Sequence, residues 1–182
     1  DTQDLGREAS KPDVQAVALL FTIANKRMLS EIQRGRVERV YFQVLTDALK
    51  EAWVCGKSVI TFLNDLDNPD MIAEIADLLL RDDETSWTLV YGFYNGKALF
   101  SIRTSETGKS AETVARKIAA RRGTAGGHQT YAGGQIKLNK GTKLERSKIQ
   151  KVIPEKFLQA LSIENKSWTR LVKPKAPGPT PK

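Results

Sequence analysis

The chain has 182 residues and carries 29 Lys and Arg against 21 Asp and Glu, for a formal net charge of +8. Such a length buries a real core, as one domain with an appendage or as two small units, and the basic balance points to an anionic partner, with nucleic acid or a nucleotide first. One cysteine, Cys55, excludes an internal disulfide and a cysteine-based zinc site; no apolar run is long enough to span a bilayer, so a cytoplasmic protein is expected.

Asp1 to Lys11 is polar and aperiodic and is expected to fray. Pro12 to Arg34 reads as a helix, with Ser10 or Lys11 in the cap region, Pro12 at N1 and Asp13 in the first turn. Val14, Val17, Ala18, Phe21, Leu29 and Ile32 recur at three- and four-residue steps, with a break expected around Asn25 to Met28. Gly35 ends the run, and Val37 to Ala52 forms a second helix. These two helices either bury an apolar face against a part of the protein outside this chain or form an ordinary helical layer on the sheet; a docking or dimerisation role is a further reading.

Val54 to Gly56 is expected to turn, and Ser58 to Leu63 to form a strand. The carboxylates of Asn64-Asp65-Leu66-Asp67-Asn68-Pro69-Asp70 invite a calcium-loop reading, which fails because Pro69 occupies a ligand slot and no glycine follows at the sharp turn. The stretch is better read as a helix start, with Asn68 as N-cap and Pro69 at N1, leading into a helix over Met71 to Leu80. Trp87 to Tyr94 alternates as a strand, Asn95-Gly96 is a strong hairpin signal, and the returning strand runs from Lys97 to Ser105. On it Ala98, Phe100 and Ile102 point one way and Leu99, Ser101 and Arg103 the other, leaving Arg103 free to reach a ligand.

Thr107-Gly108-Lys109-Ser110 mimics the end of a P-loop, but Arg103 stands where that motif needs its first glycine, so ATP binding is rejected. Ser110 instead caps a helix over Ala111 to Arg122, which Gly123 stops. Next comes Ala125-Gly126-Gly127-His128-Gln129-Thr130-Tyr131-Ala132-Gly133-Gly134, with the chain's one histidine between two glycine pairs. Glycines let a ligand approach backbone amides closely, and the imidazole adds a donor that can carry charge near neutral pH. The stretch reads as a phosphate or carboxylate cradle, or equally as a tight turn with a packed histidine. Gly133 to Asn139 is read as one more strand, Lys140 to Lys151 as a basic exposed excursion and Pro154 to Leu161 as a short helix; Trp168 and Leu171 anchor the end. Lys173 to Lys182 is proline- and lysine-rich and is expected to be disordered.

Gly126-Gly127-His128 followed by Ala132-Gly133-Gly134, with the Arg103-bearing strand Leu99 to Ser105 upstream, resembles the signature of the DHH-associated domain. That domain is the C-terminal half of DHH-family phosphoesterases, a superfamily that includes RecJ-like and oligoribonuclease-like enzymes. Asp1-Thr2 resembles the family's last metal-binding motif, and the resemblance covers roughly Asp1 to Leu138. The DHH triplet and the earlier aspartate motifs are missing, so the chain looks like the back part of a longer enzyme.

The resemblance implies an α+β (α/β-like) fold in which a helical connector, residues 1–52, leads into a small mixed sheet flanked by helices over 53–172, followed by the tail 173–182. It implies that Arg103, Gly126, Gly127 and His128 grip the phosphate of a nucleotide or short oligonucleotide. Asp1 would give one carboxylate to a Mn or Mg ion of the full-length enzyme; alone it holds no metal, and the fragment is expected to be inactive. The alternative is a nucleic-acid-binding domain using the Lys140 to Lys151 stretch and the tail; the domain also resembles one in alanyl-tRNA synthetases, which would make it an RNA-binding appendage.

Overall fold

The structure is a computed structural model that describes residues 5–6, 9–33, 35–164 and 167–173. The chain divides into two compact units, Asp1–Glu38 and Arg39–Lys182. The first contains α1 (Lys11–Ile23) and α2 (Lys26–Gln33). Ser10 and Asp13 form a capping box at the start of α1, with the Asp13 carboxylate accepting from the Ser10 N–H at 2.8 Å. The break falls at Ala24, and Asn25 opens α2 by accepting from the N–H groups of Arg27 and Met28. Neither helix contains a buried residue.

The second unit is built on a seven-stranded mixed sheet. Its elements in chain order are α3 (Arg39–Glu51), β1 (Trp53–Cys55), β2 (Ser58–Asp65), α4 (Met71–Leu79), β3 (Trp87–Tyr94), β4 (Lys97–Thr104), α5 (Ala111–Ala119), β5 (Gly123–Gly127), β6 (Tyr131–Lys137), α6 (Lys143–Leu161) and β7 (Trp168–Arg170). The sheet order is β5-β6-β4-β3-β2-β1-β7, parallel only between β2 and β3, the pair joined through α4. The α+β class expected from the sequence is the one found, and among the described residues no helix is long and apolar enough to cross a membrane.

Strand alternation sorts the core into two layers. Ile60, Leu89, Tyr91, Phe100 and Ile102 face α5 and α6 and pack with Val114, Ile118, Ile153 and Phe157. Val59, Leu63 and Val90 point the other way, onto Ala48 of α3 and Ile72, Ile75 and Leu79 of α4. Two buried threonines tie that second layer to the sheet, Thr61 donating to the Ala48 carbonyl at 2.7 Å and Thr88 to that of Ala76 at 3.0 Å.

Four local expectations are corrected. Val54 lies in strand β1, paired with β2 and β7, because the end of the chain returns to cover the sheet edge; Leu171 anchors there by donating to the Ala52 carbonyl. The regular part of α4 starts at Met71, although Asn68 Oδ1 still accepts the Asp70 N–H at 2.9 Å in the manner of a cap. The helix after Ser110 ends at Ala119, with a 3-10 turn over Ala120–Arg122. The basic stretch is no excursion: it is the first half of α6, which runs through Pro154 and starts at Thr142, whose side chain accepts the Glu145 N–H. The 174–182 part of the expected tail lies outside the described residues.

Candidate functional site

The Gly-Gly-His stretch is folded as a hairpin. Gly126 and Gly127 belong to edge strand β5, paired Gly126↔Gly133 and Gly127↔Ala132 with β6. His128 donates its backbone N–H to the Tyr131 carbonyl at 2.7 Å and closes the turn. By the alternation of an antiparallel ladder, the Gly126 N–H is then turned toward β6 and that of Gly127 away from it. The two amides do not converge as a cradle floor. The turn's own carbonyls are used as well: Gln129 O accepts from Ala111 at the start of α5, His128 O from Glu112, and Thr130 O from Thr104 at the end of β4. The free N–H groups of the helix start and the strand end thus hold the turn, while the His128 side chain remains exposed.

The glycines fall into two kinds. A Cβ on Gly127 would sit 2.4 Å from the Tyr131 carbonyl oxygen, and one on Gly134 would sit 2.3 Å from the Phe100 ring and 2.9 Å from the Thr124 carbonyl oxygen. Packing forbids side chains at these positions. A Cβ on Gly126 would meet nothing within 4 Å, and its cross-strand partner Gly133 has only an ordinary contact at 3.4 Å. These two form the floor of a shallow groove of about 350 Å³ edged by Leu99, Thr124 and Gln135. The groove lies on the α4 face of the sheet, at strands β5 and β6 beyond the reach of α4, which contacts β3 and β4.

Beside the groove stands a row of three side chains. His128 and Tyr131 have ring centroids 4.8 Å apart, and the Arg103 guanidinium lies 5.8 Å from the Tyr131 centroid. Tyr131 is the register partner of Arg103, so the hairpin brings both onto one face. Arg103 differs from the free cation expected: it is 8 % exposed, and its guanidinium is bound bidentately by Asp77 of α4, at 2.7 Å from Nε and 3.1 Å from Nη2. Nη1 donates to Ser101 Oγ at 2.6 Å and to the Ile102 carbonyl at 3.1 Å. Of five guanidinium N–H donors, these four bonds leave one on Nη2 without a partner among the described residues. Sequence periodicity placed Arg103 on this face but held no signal for Asp77, which comes from a helix 26 residues earlier.

Lys109 of the rejected P-loop donates to the Leu161 carbonyl at 2.6 Å and serves the packing of α6. Among the described residues no three His, Cys, Asp or Glu side chains gather as metal ligands, and Asp1 lies outside those residues. The described residues therefore do not fit a metal centre.

The fold and the groove define a class: an α+β domain that, among the described residues, leaves one face of one end of its sheet uncovered, with a backbone floor bordered by an imidazole, a phenol and a buried arginine. The chain belongs to the DHHA1 domain family, whose model matches residues 56–157. Over 170 residues, 90% of its length, it is 26% identical to the uncharacterized protein MJ1633 of Methanocaldococcus jannaschii, of which it spans 35%. An exopolyphosphatase-related protein from Bacteroides fragilis has the same fold, with a TM-score of 0.52 at 13% identity over 85% of this chain and 48% of that one. RecJ from Thermus thermophilus, solved in complex with Mn2+, matches with a TM-score of 0.43 and 15% identity over 91% of this chain and 23% of that one.

Proposed function

We propose that the chain is the substrate-binding part of a metal-dependent phosphoesterase acting on nucleotides or short oligonucleotides, with the groove over Gly126 and Gly133 receiving the ligand. The observation that supports this reading is the open space above Gly126 in the floor of the groove: no described residue comes within 4 Å of a Cβ built there, which leaves room for a ligand. His128 would donate to a phosphate, and the outward Gly127 N–H and the remaining N–H of the buried Arg103 would assist. The hydrolytic metals, Mn or Mg, would be held mainly by a catalytic part outside this chain, with Asp1 lending one carboxylate and residues 1–52 connecting the two parts. The groove's work would be positional: it fixes the non-reacting end of the substrate so that the scissile phosphate meets the metals.

The single histidine makes its imidazole resonance a direct reporter of the groove. On titration with a dinucleotide, the resonance should move saturably, and His128→Ala, followed by competition, should weaken binding by roughly 1–3 kcal/mol, as for a charge-assisted contact. Gly126→Val should abolish the resonance shift by filling the floor. A histidine signal indifferent to dinucleotide, alongside oligonucleotide affinity that grows with length and falls steeply with salt, would favour the nucleic-acid-binding appendage instead.

A further inference from the structure

The larger cavity lies at the other end of the sheet, where β2 runs on past β1 between the end of α3 on one face and α6 on the other, far in sheet order from β5 and β6. It measures about 720 Å³ and is walled by Trp53 of β1, Phe62 of β2, Tyr91 of β3 and Trp168 of β7, with Gln150 and Pro154 of α6 opposite. The registers explain the convergence. Trp53 pairs with Ile60 and Trp168 with Cys55, which puts both indoles on the α6 face, and α6 is too far along the sheet to cover them. Trp53 and Trp168 are 37 % and 38 % exposed, unusually open for adjacent tryptophans.

The rim is polar. Asp47, Lys50 and Glu51 come from the end of α3, and Asn64 from a β2 bulge that holds it at φ 56°. Arg170 stacks on Trp53 at 4.0 Å from its centroid and meets Glu51 at 3.1 Å, so one of the two rim carboxylates is already engaged. Asp47 is exposed and has no hydrogen-bond or ion-pair partner among the described residues. On α6, Lys143 lies seven residues before Gln150 and Lys151 three before Pro154, on turns that border the opening, while Arg146 is paired with Asp65 and stacked on Phe93.

We propose that this cleft is a nucleobase site, independent of the groove at the far end of the sheet. A planar base would lie among the tryptophans, where stacking contributes about 1–3 kcal/mol per base. Asp47 would accept N–H donors on the pairing edge, and guanine offers two side by side. The attached phosphate would reach the ammonium groups of Lys50, Lys143 and Lys151. The chemistry fits a neutral ring with an anionic tail: aromatic walls alone suit many ligands, but a carboxylate acceptor inside a basic border suits a nucleotide.

The test uses the whole chain with GMP as probe. Its third tryptophan, Trp87, is buried with its indole N–H on Glu106 at 2.8 Å, so a change in emission reports Trp53 and Trp168. GMP should quench the emission saturably, and calorimetry should show binding weakened about tenfold or more by Asp47→Asn, whose exposed position leaves the core intact. Trp53→Leu should weaken it similarly, with folding checked by thermal melting. Tryptophan quenching follows the cleft and the His128 imidazole resonance follows the groove, so titrating GMP against both signals separates this site from the groove. A pentanucleotide containing guanine that binds at least tenfold tighter than GMP assigns the base to a strand; equal affinities assign it to a free nucleotide. Absence of saturable quenching, or binding unaffected by both Asp47→Asn and Trp53→Leu, overturns the proposal.

Discussion

The hydroxyl of Tyr91 on β3 donates at 2.9 Å to the backbone carbonyl of Gln150, four residues before Pro154. In an uninterrupted helix that carbonyl would accept the N–H of residue 154, which proline lacks. Tyr91 supplies the missing donor from the sheet, and α6 continues through the proline. Burial pushes the phenol's pKa well above its usual value, so it stays a donor across the physiological range.

Tyr91→Phe should therefore cost about 1 kcal/mol, the usual net value of such a bond. The cost should shrink in a Pro154→Ala background, where the restored N–H at position 154 takes over the carbonyl. Urea denaturation of the four proteins of this cycle measures the coupling; equal costs in both backgrounds would show that the hydroxyl has no part in accommodating the proline.

The two kinds of glycine should separate stability from binding. Gly126→Ala meets open space and relieves a flexible position in a strand, so stability should hold or rise by up to about 1 kcal/mol. Gly134→Ala drives a methyl into the Phe100 ring and the Thr124 carbonyl and should cost about 1–3 kcal/mol. Thermal melts read both. A substantial loss of stability in Gly126→Ala would remove the argument that its clearance serves a ligand.

Arg103 carries a nearly buried charge whose principal partner is Asp77. Asp77→Ala should cost about 2–3 kcal/mol, chiefly by leaving the guanidinium uncompensated, and Asp77→Asn should cost less because one oxygen acceptor remains. Arg103→Ala should also destabilise, so its effect on ligand binding is informative only beside a measured stability. If chemical denaturation finds Asp77→Ala neutral, the pair has no structural weight.

Glu145 accepts the N–H groups of Asn139, Lys140 and Gly141 at 2.8, 3.0 and 3.1 Å, and these bonds hold its carboxyl below the ordinary value. A lowered folded-state pKa means the carboxylate stabilises the turn above the unfolded value near 4.5, and that contribution is lost as pH falls through the folded one. Glu145→Gln should melt lower than the wild type at pH 7 and converge with it in acid. A constant gap across that range would contradict the role.

Much of the architecture was legible because it is written in local chemistry. Asn95-Gly96 takes positive φ at both positions and closes β3 onto β4, and the alternation of Leu99, Ser101 and Arg103 against Phe100 and Ile102 is the one observed. Gly126, Gly127 and His128 are together in sequence, so their neighbourhood needed no fold to bring it about. Pro154 misled because proline opens helices far more often than it is carried through them, and what carries it here, Tyr91, lies 59 residues from Gln150 in the chain.

By itself the sequence determined strands β2, β3 and β4, helices α4 and α5, the hairpin turn, the face on which Arg103 lies and the presence of a glycine-histidine element, since each depends on residues within a few positions of one another. The tertiary structure alone decided that Asp77 holds Arg103, that the space over Gly126 is open while that over Gly134 is filled, and that two tryptophans from opposite ends of the domain share one cleft. Those facts arise where strands β1, β4, β6 and β7 pair across long loops, and a register set by packing many residues away leaves no local trace in the chain.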